Sequence, residues 1–170
     1  MGMQEIRIDE PKFVMKAAHA VWAANKYFVL ACRQQDYLKI RELLKPEKIQ
    51  IQAAYDVLEN VVHQFSDVKS KDLPQLENAL YHIAGYFKKK LTTEQRQEMN
   101  CLIQDNSEEA LAKLEEYKSL FNIEYLQNTT LWQGSRAKPF NEVPVELTYK
   151  NVTYQKGELF WKGSYVLLKT

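Results

Sequence analysis

One segment of the 170-residue chain combines side chains that could exchange protons with a bound molecule. Asn78, His82 and Gly85 are spaced at i, i+4 and i+7, which places them on one face of a helix. His82 could act as an acid or base while the amide of Asn78 orients its imidazole, or it could be a buried histidine satisfied by Asn78. A glycine inside a helix costs roughly 1 kcal/mol relative to alanine, so Gly85 predicts close packing of another helix or the approach of a ligand to the backbone.

Basic side chains accompany this segment. Lys88, Lys89 and Lys90 end the same predicted helix, where cations suit the negative end of the helix dipole, so part of this cluster needs no ligand. Other basic residues recur at spacings of three, four or seven along the first predicted helix, as Lys12, Lys16, His19, Lys26 and Arg33. This stripe is either an ordinary solvated face or an anion-binding face.

The elements that must position these residues are mostly helices. Apolar residues recur every three or four positions over most of residues 11–121, which predicts a mainly α, bundle-like domain of about six helices. Asp9 is the predicted N-cap of the first helix, with Pro11 in its first turn. Thr92 and Gln95 have the spacing of a capping box, and Asn106 indicates the start of another long helix.

The character of the chain changes near residue 133. Residues 133–144 have the composition of an irregular connection, and residues 145–167 are rich in β-formers, with turns predicted at Lys150-Asn151 and Lys156-Gly157. A C-terminal antiparallel β-hairpin or meander is predicted, packed on the helices or on a partner because two strands alone are marginal in water. We therefore expect a helical part, residues 1–132, and a connection with a β-rich tail, residues 133–170, within one structural domain.

The tail is also the most basic part of the chain. From residue 133 onward it carries six Lys or Arg and three Asp or Glu, whereas the remainder carries 17 and 19. Its basic residues are interleaved with the aromatic residues Tyr149, Tyr154, Trp161 and Tyr165. These rings either stack the bases of a nucleic acid or form the small core of the hairpin.

Composition limits the classes of protein that remain. Hydrophobic residues make up 45% and charged residues 26%, as in ordinary globular proteins, and a net charge of +1 argues against a wholesale polyanion binder. Cys32 and Cys101 belong to no C-x-x-C or Cys/His cluster, so we expect two core thiols and predict no metal and no cofactor. Polar residues interrupt the longest apolar stretch and the N-terminus lacks a signal-peptide core, so we expect a cytoplasmic protein without a membrane span.

Two segments together resemble the YbgA-like family, a bacterial domain of unknown function. The first segment is Lys26-Tyr27-x-x-x-Ala31, followed by Tyr37 and Leu38. The second is His82-x-x-Gly85-Tyr86-Phe87-Lys88, with Asn78 before it, and the similarity spans about residues 21–125. The family usually has histidines where this chain has Trp22 and Cys32.

The resemblance implies an architecture and a molecular neighbourhood without implying a reaction. Similar domains occur alone or fused behind a cysteine-rich, desulfidase-like domain that acts on thiolated nucleobases. This association points toward RNA and toward a desulfidase-like partner protein. The present chain lacks the cysteines of that partner domain, so it cannot carry out desulfidase chemistry by itself.

Three functions are consistent with these features, and the leading one is an accessory module that binds nucleic acid, chiefly RNA. Its predicted binding residues are Lys26, Tyr27, Tyr86, Lys88, Lys89, Lys90 and Trp161. The second function is a small enzyme that uses His82 as acid or base, helped by Asn78, Lys26 and Tyr86. The third is a protein-interaction module whose β-rich tail adds a strand to a partner or to a second copy.

Overall fold

A computed structural model describes residues 5–132 and 138–169, and the 22-residue helix α1 (Pro11–Cys32) lies at the centre of the fold. Most side chains of α1 are buried, and from Tyr27 to Cys32 every one is. A helix that is buried all round needs apolar residues all round, which explains why this end of α1 has no polar face. Glu10 is the N-cap, because its carboxylate accepts the backbone N–H groups of Lys12 and Phe13, so the predicted cap at Asp9 is wrong by one residue.

Further helices pack on α1 and on one another, which confirms the prediction of a mainly α fold with six helices. They are α2 (Gln34–Leu43), α3 (Ile51–Gln64), α4 (Leu76–Ala84), α5 (Thr93–Asp105) and α6 (Ser107–Phe121). Helix α1 contacts α2, α3 and α4, while α4, α5 and α6 pack against one another. Short 3-10 turns lie at Ser70–Asp72, Gly85–Phe87, Glu124–Leu126 and Thr130–Trp132.

Polar side chains fix the ends of the last two helices. Thr92 Oγ1 accepts the N–H of Gln95 at 3.1 Å, and Gln95 Oε1 accepts the N–H of Thr92 at 2.9 Å, which is the predicted capping box. Asn106 Oδ1 accepts the N–H of Glu109 at 3.1 Å and begins α6 as predicted. Helix α6 ends at Asn122, whose φ of 48° is left-handed and turns the chain out of the helix.

The strands form two antiparallel sheets. A hairpin joins β2 (Leu147–Tyr149) and β3 (Val152–Tyr154), and its turn residues Lys150 and Asn151 both have positive φ, as tight hairpin turns favour. The other sheet has the order β1-β5-β4, from β1 (Glu5–Ile8), β4 (Leu159–Trp161) and β5 (Val166–Lys169). The C-terminal hairpin or meander is therefore confirmed, and β1 is an addition that the sequence did not predict.

Strand β1 joins the two ends of the chain. Glu5 pairs with Lys169 and Ile8 with Val166, so strands from both sides of residue 132 share one sheet. A hydrophobic core cluster includes Ile8, Trp161 and Val166 together with the apolar faces of the helices. The outer edge of β4 is bonded as well, because Val143 N–H donates to Leu159 O and Trp161 N–H donates to Asn141 O, each at 2.9 Å.

The remaining expectations have mixed outcomes. Cys32 is buried, but Cys101 lies on the solvent side of α5, so the expectation of a core thiol is wrong for Cys101. None of the helices in residues 5–132 or 138–169 is both long and apolar enough to cross a bilayer. Part of the irregular connection predicted over residues 133–144, namely 133–137, lies outside the described residues.

Asn25 is a buried polar residue that ties α1 to two distant parts of the chain. Its side chain is 2% exposed, and its Nδ2 donates to Val21 O and to Phe140 O, each at 2.9 Å. Its Oδ1 accepts the hydroxyl of Thr130 at 3.1 Å. One amide therefore connects the central helix to the chain on both sides of residues 133–137, with its hydrogen-bonding groups satisfied, as a buried amide requires.

Replacing Asn25 with alanine is expected to lower the free energy of unfolding by about 1–3 kcal/mol, because the buried partners lose their hydrogen bonds. Urea unfolding followed by circular dichroism measures this difference. Asn60→Ala on the exposed side of α3 is the control, and it should change stability by less than ~0.5 kcal/mol. Equal losses in both variants would show that the Asn25 hydrogen bonds contribute nothing.

Candidate functional site

Two tyrosines predicted as binding residues meet where α1 packs against the turn after α4, and Tyr27 is only 4% exposed there. Tyr27 on α1 and Tyr86 in the turn after α4 lie 59 positions apart, yet the Tyr27 hydroxyl donates to the Tyr86 hydroxyl at 2.7 Å. Their rings meet edge to face, with centroids 6.1 Å apart and an interplanar angle of 88°. The neighbour of Tyr86, Phe87, is buried in the core, so the 3-10 turn Gly85–Phe87 holds Tyr86 against α1.

Tyr125 completes this group, and the sequence did not predict it. Its ring stacks on Tyr86 with centroids 5.5 Å apart and planes at 26°, and Tyr125 is 46% exposed. The ammonium of Lys26 lies 4.3 Å from the centroid of the Tyr125 ring and donates to its hydroxyl. We call Lys26, Tyr27, Tyr86 and Tyr125 the aromatic cluster.

The position of Tyr125 depends on contacts that no local pattern reveals. The left-handed Asn122 ends α6, and the buried Leu126 anchors the 3-10 turn Glu124–Leu126 that carries Tyr125. Lys26 is 99 residues away in sequence. The only signal in the sequence is an aromatic residue in a short polar turn just after a helix, which is too common to identify a site.

Burial makes the hydroxyl of Tyr27 harder to ionise. Desolvation raises the pKa of its hydroxyl well above the ordinary value near ~10, and the hydrogen bond to Tyr86 and the nearby hydroxyls of Tyr125 and Tyr37 raise it further. Tyr27 therefore stays a neutral hydrogen-bond donor in alkaline solution as well as at physiological pH. Its proton is directed to Tyr86, which leaves the Tyr86 O–H available to a bound molecule.

His82 lies beside the aromatic cluster and is accessible. His82, Gly85, Tyr86 and Tyr27 line an open depression of about 350 Å³, which we call the aromatic depression. His82 is exposed, so the interpretation as a buried histidine satisfied by Asn78 is wrong. Asn78 Nδ2 donates at 3.4 Å to Gln34 Oε1 on α2, so this amide serves the contact between α2 and α4 and is not paired with His82.

Gly85 forms the rim between the aromatic depression and a second cavity. Helix α4 ends at Ala84, so Gly85 lies at a helix end with a right-handed φ of −58°, and not in a helix interior. A Cβ added to Gly85 would meet nothing within 4 Å, so the expected close packing of another helix is wrong. Neither the backbone conformation nor packing requires glycine here, and the approach of a ligand to the backbone stays a prediction.

The second cavity lies between α4 and α5 and has a volume of about 350 Å³. This α4–α5 pocket has an apolar wall that includes Tyr81, Leu91 and Met99, and its lining holds Lys88 and Arg96 but no carboxylate. Arg96 is held by its own surroundings, because its guanidinium donates to Lys88 O at 2.7 Å and to Thr93 Oγ1 at 3.0 Å. The sequence predicted Lys88 as a binding residue but not Arg96. Arg96 was missed because its hydrogen-bond partner, Lys88 O, lies outside α5.

The side chains around both cavities suit an anion better than a metal ion. Lys88, Lys89 and Lys90 are exposed, and Lys26 is half-buried at the edge of the aromatic cluster. In residues 5–132 and 138–169, these lysines and Arg96 form no ion pair with a carboxylate. The same residues contain no group of three or more His, Cys, Asp or Glu side chains that could hold a metal ion.

Trp161 lies away from this site and inside the protein. It is 0% exposed, its Nε1 donates to Gly163 O at 2.8 Å, and its ring meets Tyr55 edge to face at 5.2 Å. The assignment of Trp161 as a base-stacking residue is therefore wrong, because its ring has no exposed face. Tyr149 packs on Phe13 at 4.9 Å in the same way, so these aromatic residues of the tail stabilise its packing.

Residues 26–134 of the chain match a protein family described as Protein of unknown function (DUF1722). The chain belongs to this family. The YbgA-like proteins are the DUF1722 family, so the resemblance seen in the sequence is confirmed. The matched range contains the aromatic cluster and the α4–α5 pocket and ends before β2–β5, which places both cavities in the DUF1722 part. No curated protein and no solved structure matches the chain significantly.

The raised pKa of Tyr27 predicts a loss of stability in alkaline solution. The unfolded chain releases this proton near pH ~10 while the folded protein keeps it, so stability is complete below pH ~10 and falls as the pH rises above it. Tyr55, whose pKa is raised to about 12 mainly by burial and then by Glu59, adds to the same trend. Tyr27→Phe should therefore flatten the decline.

Urea unfolding at a series of pH values from ~7 to ~11 tests this prediction. Above pH ~10 the free energy of unfolding should fall less steeply in Tyr27→Phe than in the wild type. Between pH ~7 and ~9 the two proteins should show the same slope, which is the internal control. Identical slopes over the whole range would mean that folding does not perturb the ionisation of Tyr27.

Proposed function

We propose that this protein binds single-stranded nucleic acid, RNA in particular, on the aromatic cluster and the lysines next to it. The observation that carries the proposal is the stacked pair Tyr86–Tyr125, whose outer ring is 46% exposed and has the ammonium of Lys26 beside it. An unpaired base can stack on such a ring, and each base stacked on an aromatic side chain contributes roughly 1–3 kcal/mol. The hydroxyls of Tyr86 and Tyr125 can then bond the base edge or the ribose.

The lysines supply the electrostatic part of this surface. Lys88 follows Tyr86 by two positions, and Lys89 and Lys90 extend the cationic segment along the exposed turn before α5. Because these lysines and Lys26 form no ion pair within the described part of the chain, their charges are available to phosphate groups. Binding by such contacts releases counter-ions and is strongly weakened by salt.

The geometry favours a single strand over a duplex. In a duplex the bases are stacked on one another, so only phosphates could reach the lysines and Tyr86 and Tyr125 would contribute little. The association of similar domains with desulfidase-like proteins supports RNA as the nucleic acid. In this proposal the protein is an accessory module of the bacterial cytoplasm that holds an RNA segment for a desulfidase-like partner.

A small acid–base enzyme is the second candidate, and the position of His82 favours it. His82 lines the same depression as Tyr27 and Tyr86, so a molecule bound there would meet an imidazole and phenolic O–H groups together. The protein-interaction candidate has less support at β4 and β5, because β5 is paired on both sides and Asn141 and Val143 already bond the outer edge of β4. The outer edges of the two-stranded β2–β3 sheet are where this candidate could still add a strand.

Tyr125→Ala is expected to weaken binding of single-stranded RNA about 5- to 100-fold, because one stacking contact is lost. Fluorescence anisotropy with labelled single-stranded RNA, tRNA and duplex DNA, at ~50 and ~200 mM salt, measures the affinity and its salt dependence. The wild type should bind the single strand more tightly than the duplex and lose affinity as salt rises.

Two further variants control this experiment. Tyr154→Ala removes a ring from the β2–β3 hairpin, outside the aromatic cluster, and should leave RNA affinity unchanged if the fold is intact. Replacing Lys88, Lys89 and Lys90 together with glutamine should reduce the salt dependence for every nucleic acid tested. Absence of binding at low salt, or equal affinity of the wild type and Tyr125→Ala, would contradict the proposal.

Gly85→Ala separates a structural role of Gly85 from a functional one. The substitution should raise the free energy of unfolding by about 0.4–1 kcal/mol, because the φ of −58° and the open space accept a Cβ while the unfolded chain loses freedom. The same methyl group would project from the rim into the path of a ligand and should weaken RNA binding. Thermal unfolding and the anisotropy assay measure the two effects, and a gain in stability with unchanged affinity would remove Gly85 from the binding surface.

A further inference from the structure

We propose that the α4–α5 pocket is a binding site for one nucleotide unit that carries a phosphate monoester. The phosphate would bind Lys88 and Arg96, and the apolar wall would cover the base or the ribose. The requirement for an anion comes from the pocket itself, whereas the identification of its apolar part as a nucleoside rests on the proposed function. The ligand is either a free mononucleotide or the phosphorylated end of an RNA strand.

The first argument is the charge of the pocket. Its lining contains Lys88 and Arg96 and no carboxylate, although the chain as a whole is almost balanced, with 23 Lys or Arg and 22 Asp or Glu. Within the described residues neither cation is paired with an acid. Two cations without a carboxylate partner are therefore free to bind the oxygens of a doubly charged phosphate monoester.

The second argument is the preorganisation of Arg96. Its guanidinium already donates to Lys88 O at 2.7 Å and to Thr93 Oγ1 at 3.0 Å, which fixes the plane of the group. A guanidinium has five N–H donors in a fixed fork, so the remaining donors keep a defined direction for the oxygens of a phosphate. These two bonds alone could serve to hold α5 against the turn after α4. They do not account for the cavity or for the second cation at its rim.

The third argument is the size and the apolar part of the pocket. A volume of about 350 Å³ is within the ~300–1,000 Å³ typical of small-molecule sites and exceeds what an inorganic phosphate would fill. Leu91 and Met99 are buried side chains that present an apolar wall, and Gln97 and Asn100 add amide groups that can read the edge of a base. This combination matches a ring system joined to a phosphate.

The fourth argument is the location of the pocket. Gly85 lines both the α4–α5 pocket and the aromatic depression, so the two cavities meet at a rim without a side chain. A strand could therefore place its terminal phosphorylated nucleotide in the pocket and the adjacent base on the aromatic cluster. A free mononucleotide would fill the pocket alone.

Isothermal titration calorimetry with adenosine monophosphate, uridine monophosphate, adenosine and inorganic phosphate tests the site directly. The monophosphates should bind, and adenosine and inorganic phosphate should each bind at least about tenfold more weakly, because each lacks one half of the recognised group. Lys88→Gln and Arg96→Gln should each weaken monophosphate binding about tenfold. Arg41→Gln is the control, because Arg41 is exposed on α2, away from the elements that line the pocket.

Lys88→Gln is expected to fold even if Arg96→Gln does not. The Lys88 side chain makes no hydrogen bond or ion pair within the described residues, unlike that of Arg96.

Single-stranded RNAs with a hydroxyl, a 5′-phosphate or a 3′-phosphate distinguish the two sources of the ligand. If the ligand is a strand end, a phosphorylated RNA should bind more tightly than the hydroxyl form, and Lys88→Gln should abolish that difference. If it is a free nucleotide, end phosphorylation should have no effect while monophosphates still bind.

The two proposals fail in different ways. RNA binding that depends on Tyr125, with neither monophosphate binding nor a preference for a phosphorylated end, would overturn the nucleotide site and leave the proposed function intact. Monophosphate binding that depends on Lys88 and Arg96, without any RNA binding, would overturn the proposed function and support the pocket. Monophosphate binding that is unchanged in Lys88→Gln would overturn the assignment of the ligand to this pocket.

Discussion

The complete burial of α1 from Tyr27 to Cys32 is the constraint on which the rest of the structure depends. Because almost no water reaches this part of the helix, most polar groups on or near it need a partner within the protein. Asn25 meets this requirement by bonding Phe140 O and the Thr130 hydroxyl, and so connects the chain before and after residues 133–137 to the core. Tyr27 meets it through the hydroxyl of Tyr86, and its hydrogen bond runs outward to the surface. The same constraint thus stabilises the fold and places a tyrosine pair at the aromatic depression.

The burial of Phe87 positions residues that line the two cavities. It is fully buried, and its ring packs on Tyr117 at 5.9 Å and on Phe121 at 6.1 Å, both on α6. In the tight turn after α4, an inward Phe87 leaves its neighbours Tyr86 and Lys88 on the outside, where Tyr86 lines the aromatic depression and Lys88 lines the α4–α5 pocket. Phe87 also packs on Phe121 in the last turn of α6, just before the left-handed Asn122 and the turn that carries Tyr125. Core packing around Phe87 therefore contributes to the position of these surface residues.

Local patterns in the sequence predicted what local interactions determine. The helical periodicity and the capping box at Thr92 involve residues three or four positions apart, and both are present in the structure. Strand β1 was missed because four residues carry too short a pattern and the partner strand, β5, is at the other end of the chain. Trp161 was misassigned as a binding residue although the sequence held a signal for its burial. Its spacing of two from Leu159 puts both side chains on one face of β4, and that face is buried. Tyr125 and Arg96 act through residues on other elements, so only the fold could place them.

Gly85 connects the fold to the two proposals. A glycine in a right-handed conformation with free space around its Cα gives up the stability that alanine would provide, and nothing in the local structure compensates for that loss. The cavities on its two sides differ in chemistry, since one offers aromatic rings and phenolic hydroxyls and the other offers two cations and an apolar wall. Under the two proposals, a strand of bases and phosphates would use both cavities and cross the rim between them, where any side chain would stand in its path. Its passage over the backbone would give the glycine a physical reason that packing and backbone conformation do not.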